Sequence, residues 1–192
     1  MTFEEIRERL KNFTAGIAGA GGLGSNCAVA LARVGIGKLI IADFDIVSES
    51  NLNRQYYFRD QVGMKKVEAL KENILRINPD VEIEIHDIKL NQSNLSTIYK
   101  ECHVLVEAFD LAEMKKMLIE TCISELPDKP VVVGLGMAGW GDSNSIHLRK
   151  SENIYICGDE KSEISEINPP LAPRVAMVAN LQANTVLEIL IK

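Results

Sequence analysis

Residues 14–24, Thr14-Ala15-Gly16-Ile17-Ala18-Gly19-Ala20-Gly21-Gly22-Leu23-Gly24, decide the fold. Thr14 to Ala20 is compact and apolar, as a buried strand must be, and it runs straight into Gly21 and Gly22. Beyond the turn, Leu23 to Val34 is rich in Ala, Leu and Val and stops at Gly35 and Gly37, the pattern of a buried helix with a glycine stop. Strand, glycine turn and helix in that order set the N–H groups of a helix start beside Gly19, Gly21, Gly22 and Gly24. Backbone so bare can approach a phosphate or a sugar closely, and the helix start favours negative charge.

Working outward, strand and helix patterns keep alternating. A short amphipathic helix is expected over 2–11, a buried strand over 38–42 closed by Asp43, and a helix over 64–77 stopped by Asn78-Pro79. Residues 81–88 alternate apolar and polar, the mark of a half-exposed strand. A helix near 92–100, a strand over 104–108, a helix over 111–124 and a strand over 130–135 follow. Residues 139–157 read as two shorter, antiparallel strands, 158–172 as a long polar loop and 173–191 as a closing helix. This alternation predicts an α/β fold, a Rossmann-like and mostly parallel sheet with helices on both faces and a shorter, partly antiparallel C-terminal extension. We expect one domain over 1–192, with an N-terminal helix at 2–11, a nucleotide-binding core at 14–135, and C-terminal strands, crossover loop and closing helix at 136–192.

Composition narrows the function. The chain has 192 residues, 46% hydrophobic and 25% charged, which suits one well-buried domain. A net charge of −6 gives no support to a nucleic-acid-binding surface. Apolar runs fall far short of the roughly 18–20 residues of a membrane span, and MTFEEIRERLK lacks the apolar core of a leader, so a cytoplasmic location is expected. Cys27, Cys102, Cys122 and Cys157 are widely spaced and form no C-x-x-C pair. They read as buried thiols, and no structural zinc is expected.

The chemistry concentrates after the second strand. Asp43 stands where a ribose-binding carboxylate belongs, and Asp45 follows at once. Asn51, Asn53, Arg54 and Gln55 come within the next ten residues or so, a density of donors that suits a polyphosphate better than a lone dinucleotide ribose. Residues 44–63 hold no long periodic run and read as a functional loop. Lys65 and Lys66 open the next helix and add positive charge from the side. Asp110 lies just past a buried strand end, where acids of an open α/β sheet face the ligand. It could serve magnesium, cap the helix after it, or both. His86, His103 and His147 stand outside every one of these clusters.

The series Gly19-Ala20-Gly21-Gly22-Leu23-Gly24, Asp43-x-Asp45, Ser50-Asn51-Leu52-Asn53-Arg54-Gln55, Val62-Gly63-Met64-Lys65-Lys66-Val67 and Asp110 resembles the ThiF/MoeB superfamily, which includes the ubiquitin-activating enzymes. The likeness covers nearly the whole chain, and its length, Val133-Gly134-Leu135-Gly136 and Ala172-Pro173-Arg174-Val175 are most similar to the short ThiF subfamily of bacterial thiamine biosynthesis. The resemblance implies that Gly19, Gly21, Gly22 and Gly24 pass the nucleotide and that Asp43 holds the ribose. It implies further that Asn51, Arg54 and Gln55 line the phosphate path, that Lys66 is the phosphate lysine, and that Asp110 carries magnesium. Arg54, Lys66 and Asp110 would then be catalytic.

The implied reaction uses ATP and Mg2+ to adenylate the Gly-Gly carboxylate of a ThiS-like sulfur carrier. Family relatives are dimers, so a homodimer is implied, with no nucleic acid or membrane as partner. The resemblance also raises Arg7 or Arg9 as an arginine reaching into the partner's site, and Cys157 as a sulfur-transfer thiol. Glu107 stands where the family has Asp, and Phe109 replaces a small polar residue. A NAD(P)-dependent oxidoreductase, a MoaD-like carrier and a modified tRNA are the alternative readings of function.

Overall fold

The structure is a computed structural model covering residues 1–192. Helix α1 (Phe3–Leu10) precedes strand β1 (Thr14–Ala18), helix α2 (Gly22–Val34) and strand β2 (Lys38–Asp43). After a long loop come α3 (Lys66–Ile77), β3 (Glu82–Asp87), α4 (Gln92–Tyr99), β4 (Val104–Glu107), α5 (Ala112–Glu125) and β5 (Val131–Gly134). The chain closes with β6 (His147–Ser151), β7 (Ile154–Gly158) and α6 (Ala172–Ile191). No helix is long and apolar enough to cross a membrane.

All seven strands form one sheet in the order β3-β2-β1-β4-β5-β7-β6. Every pair is parallel except β6 with β7. The expected antiparallel pair is therefore real, but it lies at 147–158 rather than 139–157, and 139–146 is loop with one tight helical turn at Ser143–Ser145. Gly139 and Gly141 have positive φ, and Asp142 is left-handed, so the backbone there turns and does not extend.

Period-two alternation divides the core. Ala15 and Ile17 of β1, Leu39 and Ile41 of β2, Val104 and Val106 of β4, and Val132 of β5 join a cluster of 32 buried residues with α2, α3 and α6. The alternate positions, Ala18, Ile40, Ala42, Leu105, Val131 and Val133, join a second cluster of 12 with α4 and α5. A sheet buried on both faces needs apolar residues at both phases, which is why these strands read as continuous hydrophobic runs.

The chain leaves β1 for β2 on one side and returns to β4 on the other. That reversal opens a crevice beyond the carboxyl ends of β1 and β4, where open α/β sheets bind ligands. Gly19, after β1, donates its N–H to Ala42 O, and Ala108, after β4, donates to Ala18 O. The two loops are thus fixed to the sheet edge that forms the floor of the crevice.

Candidate active site

The crevice is a cleft of about 620 Å³. Of the residues singled out from sequence, Gly19, Gly21, Gly22, Asp43, Asp45, Arg54, Gln55, Lys66 and Asp110 all line it. Gly24 and Asn51 do not. Gly24 serves the turn from behind, because a Cβ there would sit 1.8 Å from Gly19 O and 3.2 Å from Ala108 Cβ. Only a bare backbone lets α2 pack so closely on the turn, whose Gly19 has φ +100°. Gly24→Ala should therefore push helix from strand and destabilise the fold by roughly 1–3 kcal/mol, read by urea unfolding. A wild-type midpoint would contradict this packing. Asn51 is likewise structural: its Oδ1 accepts from Ser48 N at 3.1 Å and closes the tight turn at Glu49–Asn51.

Asp43 ends β2 and faces the glycine turn. Its Oδ2 accepts from Ala20 N at 2.6 Å and its Oδ1 from Asp45 N at 2.8 Å. Burial pushes its carboxyl above the usual range, against the pull of those two N–H groups and of Lys66. Each oxygen keeps acceptor capacity, so the carboxylate can bond hydroxyls while it braces the turn. Tyr57 locks the same turn from beneath, donating from its hydroxyl to Ala20 O at 2.7 Å.

The loop between β2 and α3 is held by polar groups that sequence reading overlooked. Buried Asn73 and Gln61 exchange amide bonds at 2.9 Å, and Asn73 Nδ2 also donates to Tyr56 O at 2.9 Å. Asn26 Nδ2 donates to Arg54 O at 2.9 Å, so α2 fixes the backbone of the arginine itself. Arg54 then uses one nitrogen, Nη1, on Ser50 O (3.0 Å) and Asn53 Oδ1 (2.7 Å). Its Nε and Nη2 remain available to an anion in the cleft. Gln55 is 9% exposed, and its Oε1 is buried without a partner.

Helix α3 begins at Lys66, two residues later than the sequence pattern suggests, because Met64 is drawn into a turn by its bonds to Gln61 O and Val47 N. The shift puts Lys66 in the first turn, 5% exposed, with Nζ 2.7 Å from Asp45 Oδ2. Asp45 thereby aims the lysine into the cleft. Lys65 points away and pairs with Asp87 at 2.7 Å on the surface.

Asp110 is exposed at the cleft mouth. Helix α5 starts at Ala112, and its N-terminus receives no side-chain cap bond, so Asp110 is not spent as a cap. The turn that carries it is anchored by Glu107, fully buried at the end of β4. Glu107 Oε1 accepts from Phe109 N at 2.7 Å, while Lys115 Nζ reaches both Glu107 oxygens (2.9 and 3.0 Å) and Gly134 O (2.9 Å). Burial raises the Glu107 carboxyl, and Lys115 opposes that shift. Lys115 was not anticipated; its position eight residues after a strand-end acid was the available signal.

The remaining candidates lie elsewhere. Arg7 is bound to Asp80 at 3.1 Å and packs over Gly35, at the opposite end of the sheet from the cleft. Arg9 donates to Met1 Sδ at 3.5 Å. Cys157 is fully buried in β7, 3.6 Å from Thr185 Oγ1, and burial raises its thiol to about 11, which is no setting for a nucleophile. The other three cysteines are buried as well.

Sheet order and glycine turn define a Rossmann-type α/β domain, with Asp43, Arg54, Lys66 and Asp110 gathered on one cleft beside the turn. The chain belongs to the ThiF family, which matches it over residues 1–192. It is 31% identical to the adenylyltransferase and sulfurtransferase MOCS3 of Caenorhabditis briggsae, over 97% of this chain and 48% of that protein. It is 35% identical to the ubiquitin-like modifier-activating enzyme 5 of Caenorhabditis elegans, over 65% of this chain and 29% of that one. The chain thus spans about half or less of the length of these curated relatives. Among solved structures, the tRNA N6-threonylcarbamoyladenosine dehydratase TcdA of E. coli, in complex with AMP, shares the fold with a TM-score of 0.88 at 21% identity, covering 97% of this chain and 89% of that one.

Proposed function

We propose that this chain is an ATP-dependent adenylyltransferase. It would activate the C-terminal Gly-Gly carboxylate of a ThiS-like sulfur carrier in the thiazole branch of thiamine biosynthesis. The observation that carries the reading is the convergence of Arg54, Lys66 and Asp110 on one cleft whose floor is the glycine turn. No histidine, serine or cysteine lines that cleft, and this chemistry requires none. A free C-terminal carboxyl has a pKa of about 3.3–3.7, so the nucleophile arrives ionised and needs no general base. The carboxylate oxygen attacks the α-phosphorus, the bond to the β-phosphate bridge breaks, and pyrophosphate leaves with its electron pair.

What remains is alignment and charge. Asp43 would hold the ribose hydroxyls. The free nitrogens of Arg54 and the buried ammonium of Lys66 would face the phosphates, with Asp45 keeping the lysine in place. Gln55 Oε1 is left to accept from a ligand donor. Asp110 suits magnesium in one particular way. It is a single uncommitted carboxylate, and magnesium that arrives with a nucleotide prefers one or two carboxylates plus phosphate oxygens and water. Magnesium held there would offset phosphate charge. The names of the curated relatives support the adenylyl transfer, and a fold relative seen with AMP and with ATP supports the nucleotide.

The test is ATP–pyrophosphate exchange with a panel of Gly-Gly-tailed carriers. Exchange only with a ThiS-like carrier is the expected result, and exchange with a MoaD-like carrier would move the chain to another pathway. ATP binding without exchange on any carrier would favour a tRNA-directed activity. Binding of NADH in place of ATP would favour an oxidoreductase.

A further inference from the structure

The first turn of α6 faces two ways. Val175 lines the cleft, its Cγ1 2.9 Å from where a Cβ on Gly22 would stand. Arg174, one residue earlier, turns outward beneath the loops and is only 5% exposed. Its Nη2 meets Asp159 Oδ2 and lies 3.2 Å from Ser145 Oγ. Its Nη1 donates to Gly141 O at 2.5 Å and Asp142 O at 3.3 Å. Asp159, itself 6% exposed, receives the N–H groups of Lys161 and Ser162 on Oδ1, both at 2.8 Å. Ser162 Oγ accepts from Ala138 N at 3.1 Å, and Gly139 N donates to Pro169 O at 2.9 Å.

One buried ion pair therefore joins three segments: the start of α6, the connection over 135–146 and the crossover loop over 158–171. Those segments supply Met137, Ile164, Pro170 and Val175 to the cleft, which together form one of its walls. That wall adjoins Gly22 and Arg54, since both Val175 and Arg54 crowd the Gly22 position. Asp43, Phe44, Ile88 and Leu90 belong to the other end of the cleft, past the end of β2.

The chemistry of the pair favours placement over stability. Two charges have been taken out of water, and Arg174 Nε is buried with no partner at all. An apolar pair of similar volume would avoid both penalties. What apolar contact cannot do is fix the loops by direction, with donors and acceptors set at defined angles. Although burial opposes it, the N–H groups of Ser162 and Lys161 and the Arg174 guanidinium hold the Asp159 carboxyl down to about 2. The carboxylate is therefore ionised at any ordinary assay pH.

We propose that Arg174 and Asp159 form a latch that positions the wall at the end of the cleft away from Asp43, beside Arg54, where a carboxylate must enter to reach the α-phosphate, so that they set affinity for the acyl substrate far more than for ATP. Both are positioning residues, since neither side chain lines the cleft. The proposal rests on the adenylation reading.

Its test compares wild type with Arg174→Met, Asp159→Asn and the conservative Arg174→Lys in pyrophosphate exchange, using a ThiS-like carrier ending in Gly-Gly. The KM for carrier should rise about tenfold or more in the first two, with partial recovery in Arg174→Lys, while the KM for ATP stays within about twofold. Trp140, the one tryptophan of the chain, adjoins the Gly141 carbonyl that Arg174 holds and is 85% exposed. Its fluorescence anisotropy should fall in the weakened variants and recover in Arg174→Lys. Carrier KM unchanged in all three variants, or ATP and carrier KM rising together, overturns the latch alone. Absence of exchange in wild type overturns the latch together with the adenylation reading on which it stands.

Discussion

Arg54→Ala should lower carrier-dependent pyrophosphate exchange by about 10²–10³, the cost of losing one preorganised contact to charge that builds in a transition state, or roughly 2.7–4 kcal/mol. The structure gives reasons to expect this loss without a loss of fold. The backbone of Arg54 is held by Asn26, and its side chain uses only Nη1 within the chain, on Ser50 O and Asn53 Oδ1. Truncation removes two local surface bonds and leaves the loop anchored through Asn73 and Gln61. The urea midpoint should therefore stay close to wild type while the exchange rate collapses. Asp110→Ala should show a deficit of similar size, for the same reason that it caps no helix and carries no buried partner. The two differ in one respect that separates their roles. Raising magnesium should recover part of the Asp110→Ala activity and none of the Arg54→Ala activity. A loss under about fivefold in either variant, against the 10²–10³ expected, would remove that residue from the proposed chemistry.

Much of this was readable from the chain because the decisive signals are local. Gly19 to Gly24, Asp43 and the run from Asn51 to Gln55 each belong to one turn or loop. Short-range spacing therefore locates them, and parallel strands buried on both faces announce themselves as apolar runs. The mostly parallel sheet followed from the alternation of elements, and most element limits fell within a few residues, while the strand order came from the structure. Long-range polar pairing was not readable. Asn73 and Gln61 lie twelve residues apart, Glu107 and Lys115 eight, Asp159 and Arg174 fifteen, and nothing in composition says that these polar side chains turn inward to meet. The strands at 147–158 were misplaced for a related reason. The five residues of β6 are all exposed, so hydropathy gave no phase by which to set their limits. Asn51 and Gly24 show the converse case. Each sits inside a recognisable motif, yet each shapes the site and does not touch the cleft, a difference that only packing reveals.

The second large effect is expected at Lys115. Lys115→Met would strand the Glu107 carboxylate, which is fully buried and accepts from Phe109 N on the turn that leads to Asp110. Breaking a buried pair by deleting one partner commonly costs about 3–5 kcal/mol, because the remaining charge keeps its desolvation penalty without its counter-charge. Part of that cost is avoidable if Glu107 takes up a proton, a step that burial already favours by raising its carboxyl. The variant should therefore regain stability as pH is lowered into the range where Glu107 protonates; wild type should respond in the same direction but less, because burial raises its Glu107 carboxyl too while Lys115 opposes the shift. Glu107→Gln combined with Lys115→Met should be more stable than Lys115→Met alone, since a neutral amide can still accept from Phe109 N. That ordering is the decisive comparison in a double-mutant cycle read by urea unfolding. If the double variant were no better than the single one, the stranded charge would not be the cause, and loss of the Lys115 bond to Gly134 O would have to account for the effect. Activity adds a second reading. Glu107 holds the turn that presents Asp110, so the single variant should lose exchange beyond what its unfolded fraction explains, and the double variant should recover part of it.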